Sequence, residues 1–139
     1  MAQKDSRRLK IVISYLYPDL ENSNIGDYSL QNDTDGTRTF VVWHNNDIPE
    51  PTEQEIDDAK EDAMNAHWWK VLRLIRDKLL VESDWSQGAD VPSDLKTSYA
   101  TYRTDLRDLP ANVTKPDFDT LNNQSIGEWD ISSLMPTKP

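Results

Sequence analysis

Four carboxylates crowd one short stretch of the chain: Asp57, Asp58, Glu61 and Asp62. Carboxylates at that density could hold a hard cation or form an acid–base pair. The stretch lacks the glycine-containing loop of a calcium hand. It lies in a helical pattern and reads as the solvated face of a helix. Asp and Glu number 25 of 139 residues, so close pairs arise by chance. His44 and His67 each lack a second histidine at ligand spacing, and His67 beside Trp68 and Trp69 reads as a packing or interface residue. The chain has no cysteine, which excludes disulfides, thiolate metal sites and a cysteine nucleophile. It has no Gly-x-Ser-x-Gly elbow, and its four glycines form no phosphate-cradling loop. A polysaccharide-degrading enzyme would need a larger β scaffold. The expectation is a protein without catalytic residues, metal or cofactor.

A second constellation is architectural. Residues 71–110 read as two amphipathic helices joined by a short turn. Arg73, Arg76 and Asp77 lie on the first, with Asp84 and Trp85 at its end; Tyr102, Arg103, Arg107 and Asp108 lie on the second. If the helices fold back, arginines of the second reach carboxylates of the first, and planar guanidinium pairs fix the register of such a hairpin. Trp85 would close its turn. Taken singly, these ions are also what any solvated surface carries, each worth about 0–1 kcal/mol.

The elements that must position these residues follow from patterning. Residues 9–17, rich in β-branched and aromatic types, read as a strand ended by Pro18. Residues 26–31 read as a weaker second strand and 37–43 as a third. Asp35-Gly36 between them offers the positive φ of a tight hairpin turn. Pro49 and Pro51 stiffen a connector. Thr52 and Glu55 then have the spacing of a capping box. From there apolar residues repeat at helical steps to about Val81, as one long helix. Pro92-Ser93 opens a helix over about 93–108, which Pro110 should stop. Residues 111–139 read as an extended arm without a core of its own. Its anchors include Phe118, Leu121, Trp129 and Leu134, too apolar for an inert linker.

Composition bounds the function. A net charge of −10 disfavours direct nucleic-acid binding, which needs cations to displace counterions. No stretch reaches membrane-spanning length. The basic start precedes a short, broken apolar run without a small-residue cleavage site, which argues against a signal peptide. Five tryptophans are many for this length. Trp43, Trp68 and Trp69 bracket the junction of sheet and helix, where core packing explains them. Tryptophans also anchor protein contacts. Adjacent Trp68 and Trp69 cannot face the same way on a helix, so one is free for a partner. The candidate partner surface is Trp43, Trp68, Trp69, Phe118, Trp129 and Leu134.

The residues of the helix pair resemble the phage tail assembly chaperone family. That family carries an arginine-rich helix running into a Leu-Leu…Ser/Thr-Asp-Trp step, then a Tyr-Arg…Leu-Arg-Asp-Leu-Pro helix. Here the matching residues are Arg73, Arg76, Leu79, Leu80, Ser83, Asp84 and Trp85, then Tyr102, Arg103 and Leu106 to Pro110. Tyr99 stands where relatives often carry tryptophan. Residues 9–55 resemble, more weakly, the small tail-protein unit called XkdW, through Tyr17-Pro18-Asp19, Asp35-Gly36, Trp43 and Pro51-Thr52-Glu53. The resemblance implies a tailed-phage protein acting at the tail, its fibres or its baseplate, and names no catalytic residue.

The combined reading is an α+β protein. A small N-terminal antiparallel sheet fills residues 1–50, a long helix and helical hairpin 51–110, and an extended C-terminal arm 111–139. The expected function is a non-enzymatic tail component or assembly factor, in the virion tail or in host cytoplasm during assembly. Its partners would be other tail or fibre proteins and further copies of itself, with no nucleic acid and no membrane. Two other classes fit the composition: an acidic inhibitor or nucleic-acid mimic aimed at a host protein, and a small carbohydrate-binding adhesin.

Overall fold

The computed structural model describes residues 6–36 and 38–139. Residues 1–5, the first part of the basic start, and Thr37 at the head of the expected third strand, lie outside the described residues. The fold is α+β, with helices dominating and one small antiparallel sheet. In chain order the elements are α1 (Ser6–Leu16), β1 (Tyr28–Asn32), β2 (Thr39–Trp43), α2 (Glu53–Glu82), α3 (Ser93–Asn112) and α4 (Phe118–Asn123). Short 3-10 turns occupy Asp84–Gln87, Ile126–Glu128 and Ser132–Leu134. The chain forms two compact units, Met1–His67 with Asp117–Glu128, and Trp68–Pro116 with Trp129–Pro139. The division therefore runs through α2, not ahead of it.

In the first unit, the expected strand over residues 9–17 is instead helix α1. Leu9, Val12 and Ile13 are buried and Leu16 packs beside them. Those positions follow the i, i+3, i+4, i+7 spacing of one helical face. The β-branched run Ile11-Val12-Ile13 favours a strand locally, and packing of that face overrides it. Tyr17 still donates to the Ile13 carbonyl at 2.8 Å; Pro18, with no N–H to give, follows at once. The sheet therefore has two strands, not three. β1 and β2 pair antiparallel, Tyr28 opposite Trp43 and Asn32 opposite Thr39. Gly36 takes φ +71° in the turn, a conformation that costs glycine nothing.

Leu9, Val12, Ile13, Tyr28, Ile56 and Ala63 form the core of this unit. A two-stranded ribbon is marginal alone, and here Tyr28, Leu30, Val41 and Trp43 join it to that core. Trp43 stacks on Tyr28 at 5.8 Å and donates its indole N–H to the Ile48 carbonyl at 2.8 Å. The Asp27 carboxylate accepts from the Glu21 N–H and from the Asn45 amide, both at 2.7 Å. The Glu21 bond first, and Asn45 second, hold its pKa below the ordinary 3.8. Helix α2 opens with the expected capping box. Thr52 Oγ1 accepts from the Glu55 N–H at 3.1 Å, and the Thr52 N–H donates to Glu55 Oε2 at 2.7 Å.

Within residues 111–139, expected as an extended arm, lies the short helix α4. Asp117 caps α4 by accepting from the Thr120 N–H at 2.8 Å, and Leu121 is fully buried. At the other end of α4, Arg8 of α1 donates to the Leu121 carbonyl at 3.3 Å, to Asn122 Oδ1 at 2.7 Å, and to the Asn122 and Gln124 carbonyls. A guanidinium suits that position, because the last carbonyls of a helix lack intrahelical partners and carry partial negative charge. Isolated apolar residues in a polar segment gave no periodicity from which to expect this helix.

In the second unit, α3 runs through Pro110 to Asn112, although Pro110 was expected to stop it at about residue 108. The proline falls in the last turn, where it removes one hydrogen bond, and buried Leu106 and Leu109 hold the helix just before it. Tyr99, Tyr102 and Leu106 form a core with Leu79, Leu80 and Met135 around them. Trp68, Leu72 and Ile131 are buried too.

Candidate functional site: the locked turn after the long helix

The most structured polar site lies where α2 gives way to α3. Ser83 ends the long helix, and its hydroxyl lies 2.9 Å from the Leu79 carbonyl and 3.0 Å from that of Leu80. The chain then tightens into the 3-10 turn Asp84–Gln87, where buried Ser86 donates to the Ser83 carbonyl at 2.6 Å. From the third turn of α3, Arg103 reaches back into this corner. One terminal nitrogen donates to the Leu80 carbonyl at 2.6 Å and to Ser83 Oγ at 2.8 Å. The other meets Asp84 Oδ1 at 2.8 Å. The guanidinium thus adds a charged donor at the end of α2, to a carbonyl that also accepts from the Ser83 N–H at 3.2 Å.

An aromatic ladder backs this corner. Trp85 meets Tyr99 edge-on at 5.0 Å, and Tyr99 meets Tyr102 at 6.0 Å. Such geometries match positive ring edges to negative ring faces. Burial raises the Tyr102 pKa above its ordinary 10.0, with smaller upward contributions from Tyr99 and Glu82. Trp85 keeps half its surface exposed.

The structure gathers Asp84, Trp85, Tyr102 and Arg103 from the residues named for hairpin register. It does not bring the others to the same place. Arg76 pairs at 2.9 Å with Asp77, its sequence neighbour, so that pair joins nothing across the hairpin. Arg73 lies 5.8 Å from the Trp69 ring, a cation–π distance. Arg107 and Asp108 are exposed on α3. Ser83, Ser86 and the Leu80 carbonyl complete the site but were not among the named register residues. Ser83 stands in the Ser-Asp-Trp step; backbone acceptors have no sequence signature.

The candidate partner residues are divided between the two units. Trp43 and Phe118 belong to the first unit, Trp68, Trp69, Trp129 and Leu134 to the second. Trp68 is buried and serves its own core, which removes it as a contact residue. Trp69 meets it edge-on at 4.9 Å and is half-buried, as are Trp43, Phe118 and Trp129. Leu134 is 36% exposed. The acidic residues Asp57, Asp58, Glu61 and Asp62 are exposed on α2. Among the described residues no three His, Asp or Glu side chains are grouped to hold a metal ion. No described helix is long and apolar enough to cross a membrane.

Two family models match the chain in tandem. The model described as XkdW protein matches residues 9–68, and that described as phage tail assembly chaperone protein matches residues 69–129. Both matches support a phage tail-related protein. The join between them falls within one residue of the division in α2. The chaperone match also takes in residues 117–128, which pack in the first unit. No curated protein and no solved structure matches the chain.

Proposed function

We propose that this chain is a non-enzymatic tail component or tail assembly factor that works through protein–protein contacts at the tail, its fibres or its baseplate. The observation that carries the reading is the use of the motif residues themselves. Ser83, Asp84, Trp85, Tyr102 and Arg103 carry the resemblance to the chaperone family, and all five are engaged locally: Arg103 with Ser83, Asp84 and the Leu80 carbonyl, Trp85 and Tyr102 with the Tyr99 ring. They build a rigid corner and offer no open acid–base pair or nucleophile. Such a corner presents the surrounding helix faces in a fixed geometry, which is what a binding scaffold requires.

The test is quantitative mass spectrometry of purified virions of the encoding phage, beside infected-cell lysate. Stoichiometric presence in particles identifies a tail or fibre subunit. Abundance in lysate and absence from particles, together with copurification of a tail protein, identifies an assembly factor. Absence from particles with copurification of host proteins alone would overturn the proposal.

A further inference from the structure

One face of α2 in the second unit is exposed, apolar at its centre, and ordered in charge. Leu74 is 59% exposed and Val81 69%, and they lie seven residues apart on one side of the helix. Buried Leu72 and Trp68 mark the opposite side. Around the two apolar residues lie Lys70, Arg73, Asp77, Lys78 and Glu82, all exposed. Trp85, 53% exposed, follows just beyond the helix end.

The order of these residues is self-complementary. Consider a second copy laid antiparallel, with a two-fold axis between Asp77 and Lys78. Leu74 then opposes Val81 of the second copy. Asp77 opposes Lys78, Arg73 opposes Glu82, and Lys70 opposes the Trp85 ring. Each relation occurs twice, as an isologous interface demands. Each pairs apolar with apolar, acid with base, or cation with aromatic face. Parallel pairing in register would set like charges against each other. We infer that this face of α2 is a homodimer interface, with a second copy of this chain as its occupant.

Two further observations favour that occupant. The local pair Lys78–Glu82, at 3.7 Å, is exposed at both ends, and Asp77, 2.9 Å from half-buried Arg76, is exposed at its own end, so these pairs compete weakly with pairing across the axis. The net charge of the chain also lies elsewhere. The first unit holds seventeen carboxylates against six Lys and Arg, the second eight against nine. The unit that carries the face is thus nearly neutral and does not repel its copy. The inference does not depend on which tail role the protein has.

The test is sedimentation equilibrium of the full-length protein at about 100 µM, a concentration suited to a small interface. The wild type is expected to be a dimer. Asp77→Lys sets Lys against Lys at the axis, and Lys78→Asp sets Asp against Asp, so each variant alone should weaken dimerisation at least tenfold. An equimolar mixture of the two should form a one-to-one heterodimer, and the double variant should dimerise again. Val81→Glu should be monomeric. All the changed side chains are exposed, and circular dichroism checks that each variant folds. A monomeric wild type overturns the inference. So does a dimer indifferent to Val81→Glu, or a mixture that fails to pair.

Discussion

Arg103 donates to the Leu80 carbonyl at 2.6 Å, across twenty-three residues of chain. That one contact joins the end of α2 to the middle of α3. The carbonyl lies in the last turn of α2 and also accepts from the Ser83 N–H at 3.2 Å, and the guanidinium that joins it is only 11% exposed. Its other partners are buried Ser83 and largely exposed Asp84.

The first prediction concerns that corner. Arg103→Ala leaves helix-end oxygens without their charged donor and should cost about 2–3 kcal/mol in urea unfolding. Arg103→Lys offers a single point charge without the fork and should recover only part of the loss. Asp84→Asn should cost about 0–1 kcal/mol, because the carboxylate faces solvent. A larger loss at Asp84 than at Arg103 would show that the ion pair, not the carbonyl bond, holds the corner.

The second prediction concerns Arg8. Replacing it with methionine keeps much of its apolar stem and removes the donors at the end of α4. A loss of about 2 kcal/mol in local stability raises the open population about 30-fold. Limited proteolysis should then cut within residues 117–128 much faster, while hydrogen exchange in the second unit stays unchanged. Equal cleavage of variant and wild type would show that burial of Leu121 alone retains the segment.

The third prediction is a pH dependence with opposite signs at its two ends. Burial raises Tyr102, and burial also raises Tyr28 against a weaker opposing bond from Ser14. Above about pH 10 the unfolded chain has released these protons while the native chain retains them, so stability falls as pH rises. Tyr102→Phe should flatten the decline in Tm between pH 9.5 and about 11.5. Asp27 is shifted the other way. Its contribution is present above its ordinary value of 3.8 and is lost as pH falls through the lower native value. Asp27→Asn should therefore lose the acid-side slope below about pH 4.

Local chemistry was legible in the sequence wherever neighbours decide the outcome. Thr52 and Glu55 read as a capping box and form one. Asp35-Gly36 read as a positive-φ turn, and Gly36 takes that angle. Arg103 and Asp84 read as partners across the hairpin, and they lie 2.8 Å apart. Outcomes set by distant packing were not legible. Ile11-Val12-Ile13 prefers a strand by type, and only burial of the Leu9–Val12–Ile13 face makes it helical. Pro110 stops a helix on average, yet buried Leu109 carries this one past it. Leu121 and Ile131 showed as isolated apolar residues, and nothing nearby in the sequence said that each fills a core. Arg8 carried no signal, because its acceptors are carbonyls more than a hundred residues away.

The Arg8 contact bears on the order in which the molecule can be finished. Residues 117–128 leave the ribosome after everything else their unit contains. The first unit therefore waits, with the place of Leu121 unfilled, while the second unit's helices are still being made. Contacts of such long sequence separation form slowly, because a large loop must close before they contribute. During that interval Arg8 of α1 lacks the acceptors at residues 121–124 that it finally holds.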